Sequence, residues 1–455
     1  MGQLSEVDIM EKRETAFYQG VVQIALLVTL QSLLQSSFSV MDQVMIGQLG
    51  SEKIAGIGLG GKFASIYSVV LGAIAGAAGV MMAQYLGQKN QKDLQKSFWI
   101  NLLGSLCLAL LFTTVCLLFS REIMQIYTKD TETSPLAAEY LQTYCLSFFP
   151  MALISISAVL LRCIGAAVYP LLASILAVFI NTGLNYILIF GKYGVPALGV
   201  KGAAWASVIS QWAACVMTLL FLIRERRKQA ISLKFDWKLE TEKRRVYFQI
   251  LAPILFCEFF WSMGENVYGI LYGNLGTQSC AAMTMTGPIQ ALMMGALSGL
   301  SQAAGILVGK SLGKGAYEKA YEESKKFMGL GFIGSLLFSI LLVCFGTYYV
   351  EFYQVPQEVQ RMSYQILVVF ALISPAKVQN MILGGGIIRS GGMTKYVMWI
   401  DIIGTWGVGV PLGLLAGFVW KLPILWVYFL LSLEELLRWG ISLWIFQTKR
   451  WMKRL

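Results

Sequence analysis

RERRKQAISLKFDWKLETEKRR, residues 224–245, is the longest charged stretch of the chain. On both sides of it, apolar runs of about 20 residues follow one another, each long enough to cross a bilayer as a helix. Six runs precede it, centred near residues 30, 68, 108, 148, 180 and 212. Six follow it, near 260, 295, 338, 375, 407 and 435. The 455 residues are 56% hydrophobic and 13% charged, against roughly 25% charged in an ordinary soluble protein. No soluble domain of 100 residues fits between the runs. The stretch therefore reads as a linker between two six-helix halves.

The halves repeat one another. At an offset of 226, Gln23-Ile24 meets Gln249-Ile250, and Gly47, Leu49 and Gly50 meet Gly273, Leu275 and Gly276. Ala77-Ala78-Gly79 meets Ala303-Ala304-Gly305, and Leu86-Gly87 meets Leu312-Gly313. LLRCIG (160–165) resembles IIRSGG (387–392) at offset 227, so Arg162 meets Arg389. An even number of spans gives the second copy the same orientation, a parallel repeat. Two such bundles facing each other enclose a central cavity, a common transporter plan. The expected fold is all-α, with twelve transmembrane helices. Its parts are an N-terminal segment (1–17), an N-lobe (18–223), a basic linker (224–246), a C-lobe (247–447) and a basic tail (448–455).

With both termini on one side, 26 Lys and Arg fall on that side and seven on the other. The positive-inside rule then makes both termini cytoplasmic. The net charge of +11 is explained by those loops, so nucleic acid is not an expected partner. The N-terminus lacks the basic start and small-residue cleavage site of a signal peptide, and the first span is expected to be retained. The eight cysteines are scattered, with no CxxC, and there is no histidine. That removes histidine metal sites, histidine proton relays and Ser-His-Asp triads.

VMDQVMIGQLG (40–50), LRCIGAAVYPLLASILAVFINTGLNYILIFG (160–190), GVKGAAWASVISQ (199–211) and GGGIIRSGG (384–392) resemble the multidrug and toxic compound extrusion (MATE) transporters. The resemblance runs through nearly the whole chain. It implies a cation-coupled exporter of organic, often cationic, compounds. Family proteins keep an aspartate late in span 1, which Asp42 matches. The family's N-lobe cluster continues in span 5, here Asn181 and Asn185, and a span 6 hydroxyl would be Ser207. Some members carry an aspartate where Asn185 stands, so one carboxylate is left in this cluster. The NorM branch often has an acid in span 7. Counted from Pro253, Trp261 takes that place, flanked by Glu258 and Glu265.

The residues themselves support polar sites inside the membrane. A carboxylate at mid-bilayer costs roughly 2.5–3.5 kcal/mol on insertion scales, so Asp42 needs a reason to be there. Gln31, Gln35, Phe38 and Asp42 recur at spacings of four, three and four, one helical face that should meet protein or water. Asp42 with Asn181 and Asn185 can offer oxygen ligands to Na⁺, or share a proton. The alternative is that the asparagines only tie helices together. On span 7, Glu258, Trp261 and Glu265 share a face that Tyr268 and Tyr272 extend. Asp401 lies in span 11 and Lys377 in span 10, where Lys377 neutralises one of these acids or lines the cavity. Glu434 and Arg438, four apart on span 12, read as an intrahelical pair that Glu435 shares. The expected sites are a cation-coupling N-lobe site (Asp42, Asn181, Asn185, Ser207) and an acidic C-lobe site (Glu258, Glu265, Asp401). Gln31, Gln35, Phe38, Trp261, Tyr268 and Lys377 would line the substrate cavity.

AGILVGKS (304–311) nearly matches a phosphate-binding loop, but Ala304 replaces the first glycine and no strand precedes it. ATP is therefore not expected. No cofactor is expected beyond H⁺ or Na⁺ as coupling ion. The sequence reads as a monomeric antiporter in a bacterial plasma membrane, exporting cationic drugs or metabolites by alternating access. The competing transport reading is a flippase for a lipid-linked precursor, which would favour a broad cationic cavity; this chain offers mainly acids. A membrane enzyme would need a catalytic set, and none is present in the sequence.

Overall fold

A computed structural model describes residues 14–15, 17–35, 45, 51–128, 130–236, 240–351, 353 and 355–455, without the side chains of residues 51, 52 and 277. Among them every regular element is helical. The first six long helices are α1 (Phe17–Gln35), α2 (Ser51–Gly87), α3 (Gln91–Tyr127), α4 (Thr133–Cys163), α5 (Val168–Phe190) and α6 (Gly199–Lys228). The next six are α7 (Thr241–Asn274), α8 (Thr277–Gly313), α9 (Tyr317–Glu351), α10 (Gln357–Ile388), α11 (Thr394–Val419) and α12 (Ile424–Gln447). Each centre expected from the sequence falls inside one of them. Eleven are long and apolar enough to cross a membrane. The twelfth, α12, has 24 residues, about 36 Å at 1.5 Å per residue, and carries Glu434, Glu435 and Arg438. The linker region is partly helical, since α6 continues to Lys228 and α7 begins at Thr241.

The middle of α3 shows a distribution foreign to a soluble helix. Between Ser105 and Ser120 the buried residues of α3 are all small: Ser105, Ala109, Thr113, Cys116 and Ser120. Leu110, Leu111, Leu117 and Leu118 on the same helix are exposed. In water that pattern would waste apolar surface. In lipid the leucines are already solvated, and small residues allow backbones to approach. Backbone amides in hydrocarbon must bond internally, which is why the spans are helices at all.

Two compact units emerge. One comprises Leu30–Met82 with Asn90–Glu240. Its centre stacks Tyr67 on Phe148 with ring centroids 4.2 Å apart, and the Tyr67 hydroxyl donates to the Phe148 carbonyl at 2.7 Å. The other comprises Thr241–Leu455 with the start of α1 up to Thr29 and with Ala83–Lys89, the last residues of α2 and the turn after it. There Thr29 donates to the Ala296 carbonyl of α8 at 2.6 Å, and Ser339 meets Ser374 at 2.7 Å between α9 and α10. Wide π-helical turns interrupt α10 at Met381–Ile388 and α11 at Ile403–Gly409 and Leu415–Val419. Such turns often mark functional segments.

Candidate ion and substrate sites

In the unit built from α2–α6 and the end of α1, three of the expected residues meet. The Asn185 amide donates to Asn181 Oδ1 at 3.1 Å, and the Asn181 amide donates to Ser207 Oγ at 3.3 Å. Asn185 is buried. Both asparagines lie on α5, one turn apart, and Ser207 faces them from α6. Asp42 and Phe38 lie outside the described residues. Gln31 is held elsewhere in the same unit: its amide donates to Ser174 Oγ at 2.8 Å, and its carbonyl accepts from Arg162 Nη2 at 3.1 Å. Gln35 is exposed.

The other unit repeats that second arrangement with charges added. Arg389 donates from Nη2 to Cys257 Sγ at 3.4 Å, and the Cys257 thiol donates to Asp401 Oδ2 at 2.8 Å. Cys257, Arg389 and Asp401 are the repeat counterparts of Gln31, Arg162 and Ser174, at offsets of 226, 227 and 227. Three side chains from three helices keep the same contacts in both halves. In the second half Glu258 joins, 3.5 Å from Arg389 Nη1.

From Asp401 the network runs on to α12. Arg438 lies 3.7 Å from Asp401, 3.6 Å from Glu434 and 3.9 Å from Glu435, and it donates to Thr405 Oγ1. The intrahelical pair expected from the sequence is present, but it is one edge of a larger cluster. Tyr268 on α7 donates to Glu434 Oε2 at 2.7 Å. Asn380 on α10 donates to Glu435 Oε2 at 2.9 Å. Lys377 pairs with Glu435 at 3.8 Å, not with one of the three acids expected from the sequence. The backbone is shaped around these groups. A Cβ on Gly404 would sit 2.4 Å from Arg438 Nε, and one on Gly409 would sit 2.1 Å from both Glu434 Oε2 and the Tyr268 hydroxyl. Both glycines belong to the π-helical turn of α11.

Four carboxylates (Glu258, Asp401, Glu434, Glu435) thus share three fixed cations (Arg389, Arg438, Lys377). A buried charge is tolerated when it is paired and hydrogen-bonded; Asp401, Glu434 and Glu435 meet that condition, and the partly exposed Glu258 is paired with Arg389. Glu265 differs: it is exposed and forms no ion pair among the described residues. Trp261, one turn away, is exposed as well. Glu258 and Asp401 therefore join one cluster, and Glu265 stands outside it. Glu435 shares Arg438 as the sequence suggested, but sequence reasoning missed the wider cluster, with Asn380 and Thr405 as members. The available signal was three charges within five residues in the middle of an apolar helix, too many for an isolated pair.

The sequence model of the MatE family matches residues 28–187 and 253–415. A Bacillus subtilis (strain 168) protein named uncharacterized transporter YisQ is 22% identical over 418 residues, covering 91% of this chain and 90% of its own length. A Thermotoga maritima protein named probable multidrug resistance protein NorM is 25% identical over 446 residues, covering 95% of this chain and 93% of its own. A crystal structure of MATE in complex with MaL6 shares the fold with a TM-score of 0.85 at 17% identity, covering 94% of this chain and 95% of that one.

Proposed function

Since this chain belongs to the MatE family, whose members are transporters and not enzymes, we propose that it exports small organic, cationic compounds by alternating access, driven by inward H⁺ or Na⁺. The observation that carries the reading is the polar row Asn185–Asn181–Ser207, set between the apolar helices α5 and α6. A negative charge beside such a row strengthens its hold on a bound cation or proton. Asp42 is the carboxylate assigned to that role. In the C-lobe, Glu265 is the acid left to attract a cationic substrate, because the other four carboxylates already have cations. The division into lobes at 224–246, the plasma-membrane location, the cytoplasmic termini, the monomeric state and the independence from ATP are parts of the same proposal.

The energetics permit it. A hundredfold gradient of solute costs about 2.7 kcal/mol. One charge moving through ~100 mV supplies about 2.3 kcal/mol, and one pH unit about 1.4 kcal/mol. Exchange of one drug cation for one H⁺ moves no net charge, so voltage helps only with a second ion. The test is substrate flux in proteoliposomes with pH and Na⁺ gradients imposed separately. Flux that follows neither gradient would reject ion coupling.

A further inference from the structure

The last turn of α2 crosses the last turn of α8 at a point the repeat makes symmetric. A Cβ on Gly87 would lie 2.2 Å from the Lys310 carbonyl oxygen, and one on Gly313 would lie 2.1 Å from the Gln84 carbonyl oxygen. Gly87 and Gly313 are repeat counterparts at offset 226, and so are Gln84 and Lys310. Each helix therefore offers its glycine to the other's backbone, the closest approach side chains could allow. By the orientation proposed above, this crossing lies at the cytoplasmic end.

A segment from far along the chain is tied onto this crossing. The Gln84 side chain is fully buried, and all its polar atoms are used. Its amide donates to the Ser390 carbonyl at 2.7 Å and to the Lys453 carbonyl at 3.1 Å, and its carbonyl accepts from the Leu455 amide at 2.7 Å. One turn on, the Gln88 amide donates to the Leu455 carbonyl at 2.8 Å. The stretch 449–455 is itself anchored. Trp451 is fully buried, stacks on Phe446 at 5.7 Å and donates from its indole to the Phe446 carbonyl at 3.1 Å. A Cβ on Gly391 would lie 1.8 Å from the Trp451 carbonyl oxygen, so the turn after α10 is cut to receive the segment. Lys449 sits 4.7 Å above the Tyr321 ring, which stacks on Phe446.

We propose that residues 449–455 are an intramolecular latch that holds the α2–α8 crossing closed, with Gln84 as its keeper. The latch rests on the alternating-access reading: a carrier must open this end once per cycle, and the crossing cannot part while Gln84 and Gln88 hold the segment. Three hydrogen bonds hold the segment to Gln84 and Gln88, enough to bias a two-state equilibrium yet few enough to break on each cycle. Gln84 is a positioning residue in this scheme and touches no cargo.

Nitroxide labels at Lys89→Cys and Lys314→Cys read the crossing directly, with the exposed Cys107, Cys280 and Cys344 changed to serine. The full chain is expected to show one short distance. Removal of residues 450–455, or Gln84→Leu, is expected to add a longer population. An unchanged distance distribution in monodisperse variant protein overturns the latch. If the variants do not fold, a second experiment decides. Gln88→Cys and Leu455→Cys joined by a reducible bis-methanethiosulfonate linker should lower flux at least tenfold, with recovery on reduction; full flux while linked overturns the proposal. Failure of the transport reading shows instead as absent flux in the unmodified protein, and the distance measurement then still decides the latch.

Discussion

Tyr268 donates a 2.7 Å hydrogen bond to Glu434, and it does so from the position that Asp42 holds in the first repeat, 226 residues earlier. Glu434 stands 227 residues after Ser207. The two repeats have exchanged the chemistry of one pair of positions. In sequence the first has its acid at Asp42 and its hydroxyl at Ser207; the second carries its hydroxyl on α7 and its acid on α12. The second repeat surrounds its acid with fixed cations, whereas in the first the hydroxyl of Ser207 accepts from Asn181. A carboxylate already held by an arginine has little need of a mobile ion, which agrees with the proposal that ion coupling belongs to the first repeat.

The C-lobe cluster should therefore behave as a structural unit. Arg438→Leu leaves Asp401, Glu434 and Glu435 without their shared cation and is expected to cost about 3–5 kcal/mol, as for other broken buried pairs. Adding Glu434→Gln should recover part of that loss, because one of the stranded charges is removed. Tyr268→Phe should cost about 1–3 kcal/mol by withdrawing a donor from a buried acid. Thermal unfolding of the purified variants followed by size-exclusion chromatography measures all three. Additive effects of Arg438→Leu and Glu434→Gln would show that the pair is not coupled.

Glu265 should behave oppositely. It is exposed and outside the cluster, so Glu265→Gln is expected to change stability by less than about 0.5 kcal/mol. Flux of a cationic substrate should fall several-fold, through a raised KM, while a neutral substrate is little affected. Equal losses for both substrates would remove Glu265 from substrate recognition.

The number and place of the helices were legible in the sequence because span length is fixed by bilayer thickness and composition by lipid contact. The repeat was legible because Gly87 and Gly313 sit at helix crossings where no other residue fits. Side-chain partners were less so. Spacing along α12 revealed Glu434 with Arg438, which one helix determines by itself. It could not reveal Asp401 or Thr405, reached across to α11, nor that Lys377 meets Glu435. Arg162 and Arg389, counted by sequence as loop charges, prove to pin Gln31 and Cys257. Those contacts depend on which helices adjoin, information that periodicity does not hold.

Orientation has a direct check. Phe235 and Thr131 are both exposed, on loops that the charge distribution assigns to opposite sides. In intact cells, Phe235→Cys should resist a membrane-impermeant maleimide and Thr131→Cys should react. The reverse pattern would place the basic loops outside and invert the direction of the proposed export.

Asp42 carries the strongest expectation. A carrier that let drug and ion move independently would dissipate the gradient. A carboxylate that is charged in one state and neutralised in the other can bias the protein between its two openings. Asp42→Asn keeps the shape, removes the charge and mimics the protonated form, so coupled export should be lost while substrate binding stays measurable. Asn181→Ala and Asn185→Ala remove one amide each from the row that ends at Ser207, and water can replace an amide oxygen as a ligand. Their effect should be milder. If Na⁺ is the coupling ion, each should raise the Na⁺ concentration for half-maximal flux roughly three- to tenfold, the equivalent of about 1 kcal/mol. If H⁺ is, the Na⁺ dependence should be flat and the pH profile should move instead. Wild-type export by the Asp42→Asn protein against a gradient would make Asp42 structural and leave the coupling without its carboxylate.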